Sequence, residues 1–175
     1  MPQRFLPIPE EVADHLYVDL TSPSLLRWKY DRKNHVKKDQ VAGTQRPDGR
    51  WRVSIGGKLF YTYRIYMFLS SGKQLDDFIV DHADGDSSIH KPSNLRLATR
   101  SQNNANRKPR GKFKGVSLHA KSGLWRCRIV VDGKEVTTYH ATDELAARAY
   151  DEIASRVFGS FARLNFPGAS DVCPA

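Results

Sequence analysis

A chain of 175 residues with 39% hydrophobic residues makes one ordinary domain or two small ones, around a modest core. Its formal net charge of +9 and pI near 9.7 point to a polyanionic partner. Two cysteines, Cys127 and Cys173, without a Cys-x-x-Cys or Cys/His cluster, argue against a structural zinc site, and no apolar run is long enough to span a membrane. With no signal-peptide pattern, the expectation is a soluble intracellular, cytoplasmic protein, in a bacterial host's cytoplasm if a virus encodes it.

In chain order, Pro9 to Asp14 carries proline and acids suited to the first turn of a short helix. Leu25 to Tyr30 reads as a strand. The polar stretch 31–40 reads as a loop, either a solvated surface or a phosphate contact. Trp51 to Ile55 alternates cleanly, Gly56-Gly57 follows, and Lys58 to Tyr63 returns, the pattern of a β-hairpin. Arg64 to Leu69 then turns helical and Gly72 stops it. Trp51, Tyr61 and Phe68 are expected in the core rather than on a nucleic-acid surface.

The stretch from Phe78 to Asn106 organises the rest. Phe78 to Val80 is a β-favouring run that ends at Asp81-His82 and a Gly-containing turn. Leu95 and Leu97 alternate with Arg96 as a second strand, and Ser101 is a candidate cap for the helix that follows. Asp81 offers a carboxylate oxygen and Asn103 an amide carbonyl, hard donors that suit Mg²⁺. His82 can take a proton near neutral pH and so activate water. Neighbours in a strand face opposite ways, so Asp81 and His82 share one site only where the strand ends. The amide of Asn94 is placed to tie down the loop that follows His82.

The spacing of these residues resembles the HNH endonuclease family in its His-Asn-Asn form. Asn94 follows His82 by twelve residues and Asn103 follows by nine more, with Asn-Leu-Arg and Gln-Asn-x-x-Asn around them. The resemblance covers about residues 25–107. It implies a ββα-metal nuclease domain, with His82 and Asn94 catalytic and one Mg²⁺ or Mn²⁺ held by Asp81 and Asn103. The last motif position, often His, is here Asn103, a variant found among HNH homing endonucleases. Tyr63-Arg64 stands where relatives often carry His-Arg.

Between Ser87 and Val131 there is no Asp or Glu, but eleven Lys or Arg. This one-signed run contains Arg96, Arg100, Arg107, Lys108, Arg110, Lys112, Lys114, Arg126 and Arg128, all candidate DNA contacts. Residues 107–112 combine Pro, Gly and four basic residues and read as a linker. Beyond it, Phe113 to His119 and Leu124 to Val131 are strands, Asp132-Gly133 a hairpin turn, and Glu135 to His140 a third strand. Thr142 caps a helix whose apolar stripe is Leu145/Ala146, Ala149/Tyr150, Ile153/Ala154 and Val157/Phe158, and Gly159 ends it. Trp125, Cys127 and Ile129 are expected to face this helix, with Cys127 a reduced core residue, and Arg126 and Arg128 to face out.

Lys114-Gly115-Val116, Trp125 to Ile129, Ala146 to Asp151, Phe158-Gly159 and Leu164 to Pro167 together resemble the DNA-binding domain of plant ethylene-response factors, the APETALA-type domain. That family lays its sheet in the major groove, and related domains follow the nuclease in HNH homing endonucleases. The resemblance adds Ser117, His119, Lys134 and Thr138 to the DNA-facing set. Relatives carry two Arg where this chain has Ser117 and His119, so the plant target sequence does not transfer.

The expected architecture is α+β. A ββα-metal nuclease domain with a supporting β-hairpin spans 1–106, and a basic linker 107–112. A three-stranded antiparallel sheet on one helix spans 113–167, and a tail 168–175. The expected function is a site-specific homing-type DNA endonuclease that nicks double-stranded DNA, needs no small-molecule cofactor, and need not oligomerise. The competing readings are a catalytically inactive DNA-binding regulator and an RNA-binding protein; the second lacks an aromatic-rich recognition signature.

Overall fold

The computed structural model describes residues 6–33, 35–131 and 133–168. It is a mixed α and β structure built from small antiparallel sheets. The chain divides into two compact units, one up to Ala98 and one from Thr99.

The N-terminal unit begins with α1 (Val12–His15), then a two-stranded ribbon of β1 (Leu16–Val18) and β2 (Leu26–Trp28). β1 was not expected, because only Tyr17 separates its two apolar residues and so short a run shows no period. β3 (Thr44–Gln45), β4 (Trp51–Ile55) and β5 (Lys58–Tyr61) form the next sheet. The β4–β5 hairpin turns at Gly56 and Gly57, both with positive φ, as the sequence pattern requires. The helix α2 (Thr62–Ser71) follows without a loop, and Gly72 ends it in the left-handed conformation. Ile8, Val12, Leu16, Leu26, Ile55, Ile65 and Leu75 are fully buried together, with Val80 and Leu95 at the edge of the same core. These last two belong to β6 (Ile79–His82) and β7 (Leu95–Ala98), a two-stranded ribbon with Asp81 opposite Arg96 and His82 opposite Leu95. Val80 sits on one strand and Leu95 on the other, so both strands of the ribbon are anchored in the core.

The C-terminal unit opens with α3 (Arg100–Asn106). Its cap is Thr99, not Ser101: Thr99 Oγ1 accepts from Gln102 N–H and Gln102 Oε1 accepts from Thr99 N–H. Two residues separate Thr99 from Gln102, the spacing of a reciprocal capping pair, which Ser101 lacks. Arg163 donates to the Ala105 and Asn106 carbonyls, so α3 packs within this unit. β8 (Val116–His119), β9 (Leu124–Val131) and β10 (Lys134–His140) form an antiparallel sheet with β9 in the centre. The helix α4 (Asp143–Phe158) covers one face, with Thr142 capping it as expected. Cys127, Ile129, Ala146, Tyr150 and Ala154 form the core, and the Cys127 thiol is unpaired and buried. Leu145 and Val157 of the expected stripe lie at its edges, exposed. Gly133 adopts the positive φ of the expected turn, while Asp132 and Cys173 lie outside the described residues.

Gly115 shows why the sheet can approach the helix so closely. It has φ +72°, its carbonyl accepts from Arg128 N–H at 2.7 Å, and a Cβ there would sit 2.2 Å from the Tyr150 ring. Asn165 ties the segment after the helix to the first strand: its Oδ1 accepts from Lys114 N–H at 2.6 Å and its Nδ2 donates to Asp151 at 3.0 Å.

Candidate functional site

β6 extends through His82, two residues beyond the expected apolar run, and the chain then turns: Gly85 N–H donates to the His82 carbonyl at 2.8 Å. Strand alternation therefore sends Asp81 and His82 to different neighbours. Asp81 is buried and accepts from Arg96 Nε at 2.9 Å across the ribbon. Arg96, expected as a DNA contact, is thereby engaged with the carboxylate. His82 is also buried and meets Tyr63 edge-on, with ring centroids 5.1 Å apart.

His90 is the residue that the sequence did not mark for this site, and Tyr63 was noted only as a departure from the His-Arg of relatives. His90 is 7% exposed, and its Nδ1 lies 3.2 Å from His82 Nε2. Tyr63, from the first turn of α2, stacks on His90 at 5.3 Å with the planes 29° apart. The only signal for His90 was a second histidine eight residues after the first, in a loop that folds back. Burial lowers the pKa of both imidazoles, and the charge of His90 adds to the effect on His82; Asp84 and Asp81 act more weakly the other way. His82 is thus held toward its neutral form, the form a base needs. Burial likewise pushes the Tyr63 hydroxyl up to about 12.

Asn94 does what its position suggested. Its Oδ1 accepts from Asp84 N–H, and its Nδ2 donates to Asp84 Oδ1 and to the Ile89 carbonyl, all at 3.0 Å. Ala83 N–H donates to the Asn94 carbonyl at 2.8 Å. The loop from His82 to His90 is closed by these bonds, so Asn94 positions the two histidines through the backbone.

Among the described residues no group of three or more His, Cys, Asp or Glu side chains gathers as a metal cluster. Asp81 is a hard oxygen donor of the kind Mg²⁺ takes, and its Oδ2 accepts from Arg96 Nε. Asn103 lies half-buried in α3, in the C-terminal unit.

An open hollow of about 1100 Å³ on the N-terminal unit contains neither Asp81 nor His82. Arg32, Lys33, Arg46 and Arg52 line it, and Arg32 sits over the Trp28 ring at 4.3 Å.

In the C-terminal unit, directly paired residues share a face of the sheet. Ser117 opposite Arg126 and His119 opposite Leu124 place the first strand's polar residues on the face away from α4. Arg126 donates to Ser117 Oγ, and Arg128 pairs with Glu135 at 2.8 Å. Lys134 and Thr138 are opposite Val131 and Cys127, on the helix side, which corrects their assignment to the open face. Glu135, Thr137 and Tyr139 are the open-face residues of β10, and Tyr139 meets His119 edge-on at 5.2 Å.

The other basic candidates divide. Arg100, Arg107, Lys108 and Arg110 are exposed, and Lys112 pairs with Asp143 at 2.8 Å. Lys114 is turned inward: its Nζ donates to the carbonyls of Asn104 and Ala105 in the last turn of α3 and of Arg107 just beyond it. Burial lowers its pKa to about 8. It holds the chain beyond α3 in place and is spent as a phosphate contact.

Over 111 residues the chain is 34% identical to a protein of Acanthamoeba polyphaga mimivirus. That relative is named an uncharacterized HNH endonuclease. The match takes in 62% of this chain and 58% of the relative, so the chain spans less than two thirds of that protein's length. No family model and no solved structure matches the chain. No helix among the described residues is long and apolar enough to cross a membrane.

Proposed function

We propose that the chain is a metal-dependent DNA endonuclease of the HNH type, a homing-type enzyme that nicks one strand of a double-stranded site. The observation that carries this reading is His82, a buried imidazole at the end of the β6–β7 ribbon, with a lowered pKa and a following loop fastened by Asn94. The likeness to a mimivirus protein named an HNH endonuclease supports it.

In the proposed reaction His82 takes a proton from water, the water oxygen attacks phosphorus, and the bond to the leaving sugar oxygen breaks. Asp81 and Asn103 are the proposed ligands of one Mg²⁺ or Mn²⁺, with Asp81 released from or shared with Arg96. When bound, the ion polarises the phosphate and stabilises charge on the leaving oxygen. Asn94 keeps the His82 loop in place.

Residues 113–167 are proposed to act as an APETALA-type reader. The open sheet face, with Ser117, His119, Arg126 and Arg128, enters the major groove, and Arg107, Lys108 and Arg110 follow the backbone. Two arginines in strand register support this, since guanidinium groups read guanine edges in pairs of hydrogen bonds. One charge opposes it on the same face, that of Glu135.

The test is incubation of the full chain with a duplex DNA library and Mg²⁺, followed by mapping of broken ends. Nicks at one sequence that vanish with chelator are expected. Intact DNA, with a bound sequence still enriched, would instead identify a catalytically inactive DNA-binding regulator.

A further inference from the structure

The hollow on the N-terminal unit has no part in the proposed reaction or in the proposed reader. Arg32, Lys33, Arg46 and Arg52 line it, and Asp31 is the one acid among its described lining residues. That acid is already matched, by Lys37 Nζ at 3.2 Å and by the N–H of Lys38 at 2.9 Å. Among the described residues, Arg32, Lys33 and Arg46 form no ion pair with a carboxylate. Two separate turns present the arginines: Arg32 N–H donates to the Val36 carbonyl at 2.8 Å, and Gly49 N–H donates to the Arg46 carbonyl at 2.9 Å. A concave wall of one sign of charge draws a polyanion.

We propose that this hollow binds a single-stranded DNA segment. Tyr30, 63% exposed, stands among the cations. Cations beside an exposed aromatic ring are the make-up of single-strand sites, where the backbone meets the charge and bases stack on the ring. Shape favours the same occupant. An open hollow of about 1100 Å³ admits a flexible strand, while a stiff duplex stays at its rim. Arg52 spends one of its five N–H donors on Tyr61 Oη at 2.6 Å, which fixes its direction and leaves others for phosphate. The same arginine begins a stack that leads to the proposed cutting site. Its guanidinium lies over Tyr61 at 4.5 Å, Tyr61 stacks on Tyr63 at 5.2 Å, and Tyr63 meets His82 edge-on at 5.1 Å. On the nuclease reading, which this use rests on, the hollow retains the strand freed by the nick. The binding itself does not depend on that reading.

The test is anisotropy of a labelled oligo-dT with the full chain in excess chelator, across a salt series, beside a labelled duplex and an oligo-rU of the same length. Arg32→Gln/Arg46→Gln should weaken oligo-dT binding at least about 10-fold near 0.15 M salt and make the salt slope shallower by about 1.4, the share of two phosphate contacts on a single strand. Duplex affinity should change less than about 3-fold, since phosphates on a duplex are met elsewhere. Lys33→Gln/Arg46→Gln, which keeps Arg32 over the Trp28 ring, gives the same reading should the first variant fail to fold. Tyr30→Ala should weaken oligo-dT binding about 5-fold or more with the salt slope unchanged, as loss of stacking requires. Unaltered oligo-dT affinity in these variants overturns the site. Equal losses on oligo-dT and duplex overturn the single-strand assignment, and tenfold tighter binding of oligo-rU by the unaltered protein, on the order of one stacked base, overturns the assignment to DNA. A chain that binds oligo-dT as described but never nicks duplex DNA keeps the site and overturns the nuclease reading instead.

Discussion

Gly115→Ala tests the packing on which the reader sheet depends. The residue stands at φ +72°, where an L side chain costs about 1–2 kcal/mol. The added methyl would sit 2.2 and 2.5 Å from Tyr150 ring carbons and 2.8 Å from the Arg128 carbonyl oxygen. Tyr150 is 4% exposed and the oxygen belongs to the central strand, so neither can give way cheaply. Forcing a methyl into such a core costs about 1–3 kcal/mol more, and the total of about 2–5 kcal/mol is a large part of a small unit's stability. Gly123→Ala is the control. Its φ is +70° but nothing lies within 4 Å of the new Cβ, so only the backbone cost applies. Thermal unfolding of the full chain should show the transition of the C-terminal unit falling by at least 8 °C in Gly115→Ala, on the scale of about 4–8 °C per kcal/mol. The fall should exceed that of Gly123→Ala. Equal shifts in the two variants would refute the close approach of sheet and helix.

Tyr63, with its hydroxyl pushed up to about 12, stays neutral in the folded chain while the unfolded chain ionises from pH 10. Its contribution is complete below pH 10 and is lost as pH rises toward 12, so Tyr63→Phe should lose stability less steeply in that window; identical denaturant midpoints across it would contradict this. Asn94→Ala removes the bonds to Asp84 and Ile89, and should cost about 1–3 kcal/mol by chemical denaturation and reduce cleavage more than DNA affinity. Undiminished cleavage would deny the loop its role. Arg126→Ala and Arg128→Ala should weaken binding to the preferred site more than to random duplex, by roughly 1–3 kcal/mol of discrimination, and Glu135→Gln should tighten binding to random duplex by freeing Arg128. Equal losses on both duplexes would reduce the arginines to phosphate contacts.

The sequence made some of this legible through strong local patterns. The β4–β5 hairpin shows in its alternation and paired glycines, and α4 in its four-residue repeat and Thr142 cap. β10 is different: Lys134 to His140 has no clean alternation, so only its pairing with β9 decides that Glu135, Thr137 and Tyr139 share the open face. The Asp81-His82 and Asn94 positions stood out by spacing. His90 did not, because its burial comes from a loop folding onto Tyr63 and Gly49, residues far away in the chain. Nor did the ion pair of Asp81 with Arg96, which strand register alone creates. Lys114 looked like one more charge in a basic run, and only the chain path after α3 turns it inward.

The central claim is that His82 activates water in a metal-dependent cut. The most direct measurement compares the full chain and His82→Ala on a labelled duplex bearing the preferred site, with Mg²⁺ and with excess chelator, while binding is followed on the same duplex. The account predicts that cleavage by the unaltered protein stops with chelator. It also predicts that His82→Ala cuts on the order of 10²–10⁴-fold more slowly with nearly unchanged affinity. Cleavage by His82→Ala at the original rate, or full cleavage in chelator, would contradict it.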